Sequence, residues 1–225
     1  TNGTGVDAGF TTVSGVGGGT DIEWAMPADA LPDGMAAYLS WSPKPDGSKN
    51  ADKSSNSAGS GVDGFGWDLA VEHTGLADGL KVFGGYSVIP KYKAAAGVSA
   101  GVDGDAVSTV YGFTYAVGGA TIGYQDSMST VNSAASGTTA YDNQAYGVSF
   151  SVNDDLSISY GMHKSSRGTN TGAGAIEIEA ESVQLAYSMG GATIKIAETT
   201  VDNADYVSTT AGDTEGTTIM LSLAF

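Results

Sequence analysis

Thr217-Thr218-Ile219-Met220-Leu221-Ser222-Leu223-Ala224-Phe225 is the stretch that decides the fold. Ile219, Leu221, Leu223 and Phe225 alternate with Thr218, Met220, Ser222 and Ala224, the two-residue period of a strand with one apolar face. A soluble domain rarely stops on such a strand with an aromatic carboxyl terminus. A membrane barrel does, because one face of its closing strand meets lipid and the other meets water.

The rest of the composition agrees. No run of about 18 apolar residues occurs, so neither a membrane helix nor a secretory signal is expected within these residues. With no long apolar run, a membrane protein has to alternate polar and apolar residues. The absence of cysteine excludes a disulfide framework and a thiolate zinc site, and fits a protein exposed to an oxidising compartment. Thirty-four glycines in 225 residues, with abundant Ser, Thr and Ala, leave little bulk for a packed core. A barrel with a water-filled lumen needs none.

Nine basic residues against 25 acidic ones give a net charge of −16, which argues against nucleic-acid binding because nothing would neutralise phosphates. Two readings of the acidity stay open. It solubilises exposed loops, or it sets a negative potential at a pore mouth that enriches cations and holds ions such as Ca2+ at acidic external loops.

Three segments repeat one plan. Tyr115-Ala116-Val117-Gly118-Gly119-Ala120-Thr121-Ile122, Phe150-Ser151-Val152-Asn153-Asp154-Asp155-Leu156-Ser157-Ile158 and Tyr187-Ser188-Met189-Gly190-Gly191-Ala192-Thr193-Ile194 each run from an aromatic through a tight turn to alternating apolar residues. Gly-Gly and Asn-Asp tolerate the positive φ of short hairpin turns. Turns at 118, 153 and 190 are roughly 36 residues apart, about two membrane strands plus one longer loop. The recurring aromatics place Tyr115, Phe150 and Tyr187 in a girdle at one membrane interface.

Extending the pattern predicts strands near 21–27, 35–42, 65–74, 79–89, 106–117, 120–128, 141–152, 156–163, 176–189, 192–200 and 217–225. Long polar loops are expected at 43–64, 90–105, 129–140, 164–175 and 201–216, and short turns between the other strand pairs. That asymmetry is the outer-membrane arrangement of external loops and periplasmic turns, and it puts the carboxyl terminus in the periplasm. All of 1–225 reads as a single barrel domain, with 217–225 as its closing strand.

Parity then sorts the wall. Lipid-facing positions are Trp67, Leu69, Val71, Tyr111, Phe113, Tyr115, Val148, Phe150, Leu156, Ile158, Tyr160, Leu185, Tyr187, Ile194 and Ile196. The opposite face is small and polar, so the lumen is expected to be wide and wet rather than plugged by side chains. Its candidate pore-lining residues are Glu23, Asp68, Glu72, Lys81, Gln125, Gln184 and Lys195. In Ile176-Glu177-Ile178-Glu179-Ala180-Glu181 the glutamates take the parity of lipid-facing Val183 and Leu185. A carboxylate at hydrocarbon depth would cost several kilocalories, so the outer boundary is expected near Val183. Glu177, Glu179 and Glu181 are then either a solvated strand end or ligands for divalent cations that bridge lipopolysaccharide.

The terminal strand, the repeated hairpins and phrases such as Asn153-Asp154-Asp155-Leu156-Ser157-Ile158-Ser159-Tyr160-Gly161 resemble the general-diffusion porins of Gram-negative bacteria, above all the alphaproteobacterial type. The likeness is strongest over 65–225 and weak before residue 20. It implies a 16-stranded outer-membrane barrel, usually a homotrimer, which passes small hydrophilic solutes through a channel narrowed by an inward third loop. It also implies that Ile219, Leu221, Leu223 and Phe225 form the signal presented to the barrel-insertion machinery.

Eleven strands are odd and too few for that family. Either the chain is the C-terminal two-thirds of a larger porin, with residues 1–19 the tail of the constricting loop, or Val6 to Val13 adds a twelfth strand and the barrel is a complete small one. The family's basic cluster is also thin here. Arg167, the only arginine, falls in an expected external loop, which leaves Lys81 and Lys195 beside Glu23, Asp68 and Glu72 and predicts weak to moderate cation preference.

Other chemistry finds little support. His73 and His163 are the only histidines and lack ligand spacing. His163 with Ser159 as a rim hydrolase fails on their shared lumen parity. Asp103-Gly104-Asp105 and Asp202-Asn203-Ala204-Asp205 are only fragments of calcium loops. Gly61-Val62-Asp63-Gly64-Phe65-Gly66 lacks the helix and lysine of a phosphate cradle. The rival from another class is a surface adhesion or structural barrel acting through acidic loops, which should fill its interior with bulky or paired charged side chains.

Overall fold

The computed structural model describes residues 22–42, 66–89, 106–133, 137–169 and 175–223. The expected loop tail or extra strand at 1–19 and the side chain of Phe225 lie outside them. Eleven strands form one antiparallel sheet in chain order. They are β1 (Ile22–Ala25), β2 (Met35–Ser42), β3 (Gly66–His73), β4 (Leu80–Ile89), β5 (Ala106–Val117), β6 (Ala120–Ser133), β7 (Gly137–Ser151), β8 (Leu156–Thr169), β9 (Ile176–Met189), β10 (Ala192–Asp202) and β11 (Thr214–Leu223). Among the described residues β1 and β11 are the two edges, and the sheet does not close on itself.

Local chemistry sets the short turns. Gly118 and Gly190 take φ of 57° and 59°, the left-handed region that lacks a Cβ penalty only for glycine. The middle turn works otherwise than the expected positive φ. The Asn153 carboxamide oxygen accepts from the N–H groups of Asp155 at 2.9 Å and Leu156 at 2.8 Å, so a side-chain acceptor closes this turn. Left-handed non-glycine residues occur elsewhere, at Asn203, Asp205 and Tyr206.

At the opposite end the strands run further than the polar sequence suggested. β6 and β7 extend until only 134–136 separate them, with Ser133 paired to Gly137, where a loop over 129–140 was expected. β8 continues to Thr169 and so takes in Arg167, which is a wall residue rather than a loop residue. Ser, Thr and Asn at these strand ends stand beyond the apolar band, where neither strand face needs to be greasy.

Burial is inverted relative to a soluble sheet. One face buries small polar side chains: Ser42, Ser87, Ser127, Ser129, Asn143, Ser165 and Thr199 are all at most 9% exposed. The other exposes large apolar ones, with Ile219 at 72%, Leu221 and Val183 at 59% and Tyr111 at 56%. The polar face is the crowded one, as the inner side of a curving sheet is. Each exposed Leu or Ile forgoes roughly 1.5–3 kcal/mol of burial, a loss that only a lipid surround removes over so many positions. The cross-strand register puts every expected lipid-facing residue on this outer face and every expected pore-lining residue on the inner one.

Candidate channel lining

The register builds the inner face row by row. In one row, Thr114, Gly123, Gly147, Gly161, Ser182, Thr199 and Gly216 lie side by side across β5 to β11. The next row is Ala36, Glu72, Phe83, Gly112, Gln125, Ala145, His163, Ala180 and Val201. A third runs Glu23, Ser40, Asp68, Ser87, Ser108, Ser129, Tyr141, Arg167 and Ile176. Glycine in the first two rows hollows the wall into a concavity of about 460 Å³. Phe83 leans into it, its ring tip 2.7 Å from where a Gly112 Cβ would stand.

Charges on this face are few. Lys81 pairs with Glu72 at 2.5 Å, so one member of the expected basic ladder is locally compensated. Lys195 stands in register between Ala186 and Met220, toward the short turns, with Gln184 one inward position further along β9. Glu23 and Asp68 share a row with Arg167, Glu23 on the first strand and Arg167 on the eighth. His73 serves a turn: its Nδ1 accepts from the Gly75 N–H at 2.9 Å.

The β10–β11 connection, part of the long polar loop expected at 201–216, also bears on this face. It passes through short 3-10 turns at Ala204–Tyr206 and Thr210–Gly212 and lies over the inner face instead of standing clear of it. Tyr206 is 4% exposed and packs with Ile178, Val201 and Ala204, flanked by Tyr141, Ile176 and Ala180. Its hydroxyl is 2.6 Å from Ser165 Oγ, which also lies 2.6 Å from the Asn143 Oδ1 acceptor. The Arg167 guanidinium sits 4.6 Å from the centre of the Tyr206 ring, and the Tyr141 ring is 5.6 Å away. Left-handed Tyr206 costs about 1–3 kcal/mol, a strain these contacts hold in place, while Asn203 and Asp205 adopt that backbone more readily. Sequence reading missed Tyr206. Its only signal was an isolated aromatic in a Gly/Thr/Asp-rich stretch.

On the outer face, tyrosines meet acids where the apolar band ends. Tyr160 donates to Glu181 at 3.1 Å and Tyr124 to Asp126 at 3.1 Å. Glu198, opposite Val183, accepts from Thr217 at 2.5 Å. Lys164 sits 2.5 Å from Glu179 and 4.0 Å from Glu177. Of the three expected cation ligands, then, two face a lysine and the third a phenol. Among the described residues no three His, Cys, Asp or Glu side chains gather as a metal site. Toward the short turns, Tyr115, Phe150 and Tyr187 lie on the outer face within two residues of their strand ends, and Ile219, Leu221 and Leu223 share that face on β11.

No family model matches the chain, and no curated protein matches its sequence. Solved structures do. The outer membrane channel DcaP of Acinetobacter baumannii superposes with a TM-score of 0.61 at 10% identity, over 97% of this chain and 66% of that one. Outer-membrane expressed OmpT of Vibrio cholerae gives 0.56 at 14% identity, over 89% and 62%. The trimer form of in-vitro folded OmpT gives 0.54 at 15%, over 81% and 54%. The chain thus has the fold of an antiparallel outer-membrane β-barrel wall. It spans about half to two-thirds of the length of each of these structures.

Proposed function

We propose that the protein is an outer-membrane channel of porin type that lets small hydrophilic solutes and ions diffuse through a water-filled lumen. The inverted burial carries this reading: small polar side chains are packed on one face while Ile, Leu, Val and aromatic residues stand exposed on the other. The barrel likeness supports it, and one of the similar structures is itself an outer membrane channel. In this reading the short turns and the carboxyl terminus are periplasmic and no residue performs catalysis. The partial coverage of its structural neighbours favours a larger barrel of about 16 strands, of which the described residues supply eleven. Homotrimer assembly follows the porin resemblance, and a trimer form of OmpT supports it loosely.

An adhesion barrel would fill its interior with bulky or paired charges. The described inner rows are instead mostly Ser, Thr, Ala and Gly, with Lys81–Glu72 as an ion pair near one end. Swelling of liposomes in isotonic sugars of graded size tests the channel. Swelling that falls with solute size supports diffusion, and liposomes as tight as protein-free ones would refute it.

A further inference from the structure

The β10–β11 connection, residues 203–213, is held against the inner face by more contacts than a loop needs merely to join two strands. Tyr206 fills an apolar seat made by Ile178 and Val201. The Asn203 amide donates to the Glu177 carbonyl at 2.8 Å, and the Asp213 carboxylate accepts from the Asn203 N–H at 3.2 Å, which fastens both ends of the connection. Gly212 lets the chain double back, since a Cβ there would lie 2.3 Å from the Val207 carbonyl oxygen. Arg167 projects from β8 onto the Tyr206 ring, which restricts a long side chain that would otherwise sweep the lumen. Asp205, next to Tyr206 in this connection, is exposed.

We infer that this connection is a fixed inward cap that narrows the channel at the long-connection end, and that Arg167, clasped on Tyr206, is the cation that passing ions meet there. The inference rests on the channel reading. It assigns constriction to a segment other than residues 1–19, and it gives selectivity to an arginine that charge counting alone would place outside the pore.

The test is single-channel recording of the whole protein in planar bilayers, with folding of each variant checked by heat-modifiable migration. Tyr206→Ala should free the cap and raise conductance roughly 1.5-fold or more, whereas Tyr206→Phe, which keeps the ring, should change it far less. Arg167→Gln should shift the salt-gradient reversal potential toward greater cation preference. Because the chain has no cysteine, Asp205→Cys is a unique thiol, and its modification by a bulky charged methanethiosulfonate should lower the current. A folded, conducting wild type whose current is unmoved by Tyr206→Ala and by complete modification at 205 would overturn the cap. An unmoved reversal potential in Arg167→Gln would remove that arginine from the constriction. A wild type that never conducts would instead defeat the channel reading beneath both.

Discussion

The Tyr160 hydroxyl donates to the Glu181 carboxylate across a 3.1 Å hydrogen bond between β8 and β9, on the outer face directly above the apolar residues Val183 and Leu185. A phenol anchored at its polar tip, with its ring over aliphatic neighbours, is suited to a lipid–water boundary. Single-cysteine labels should then read depth: fluorescence from Leu185→Cys is quenched by lipid-soluble agents, and fluorescence from Glu179→Cys by aqueous ones. Equal aqueous quenching at both sites would move the boundary or abolish it.

Leu185, Ile196 and Ile219 lie in one outer row, the first wholly apolar one inside Glu198 and Thr217, while Ala197, the neighbour of Ile196, points inward. Ile196→Arg should destabilise the membrane-inserted barrel by about 1–2 kcal/mol, between the cost of a cation at the bilayer midplane and its cost at the interface. Ala197→Arg should be tolerated much better. Urea unfolding from lipid vesicles measures both, and equal losses would contradict the assigned faces.

Lys81 and Glu72 pair at 2.5 Å on the inner face. Removing the lysine leaves an uncompensated carboxylate in the lumen, and removing the glutamate leaves an ammonium. Lys81→Gln should therefore raise cation preference and Glu72→Gln lower it, with reversal potentials moving in opposite directions from wild type. Two unmoved potentials would place the pair in a part of the pore too wide to select.

Glycines in the turns should differ in cost. A Cβ on Gly79 would come within 2.0 Å of the Ala116 carbonyl oxygen, and its φ is +76°. Gly118 has φ of +57° but nothing within 4 Å. Gly118→Ala should cost about 1–2 kcal/mol from the left-handed backbone alone, and Gly79→Ala should cost more. Unfolding midpoints rank them, and the reverse order would contradict the turn geometry.

Where one strand face is greasy, the alternation was legible. β2, β5 and β9 fall at the expected residues 35–42, 106–117 and 176–189, and the register keeps residues of one expected face in common rows. Beyond the lipid boundary that signal fades, because both faces of a strand are then free to be polar. Thr130, Asn132, Ser165 and Ser166 therefore read as loop although they lie in β6 and β8. The inner seat of Tyr206 was illegible for another reason. Its partners Ser165, Arg167, Ile178 and Val201 come from three different strands, and only the register brings them together.

The most direct measurement is single-channel current of the detergent-purified, unboiled protein across a planar bilayer under a salt gradient. The account predicts stable ohmic steps with a reversal potential on the cation side, grouped in threes if the assembly is trimeric. Folded protein that inserts and carries no current would contradict it.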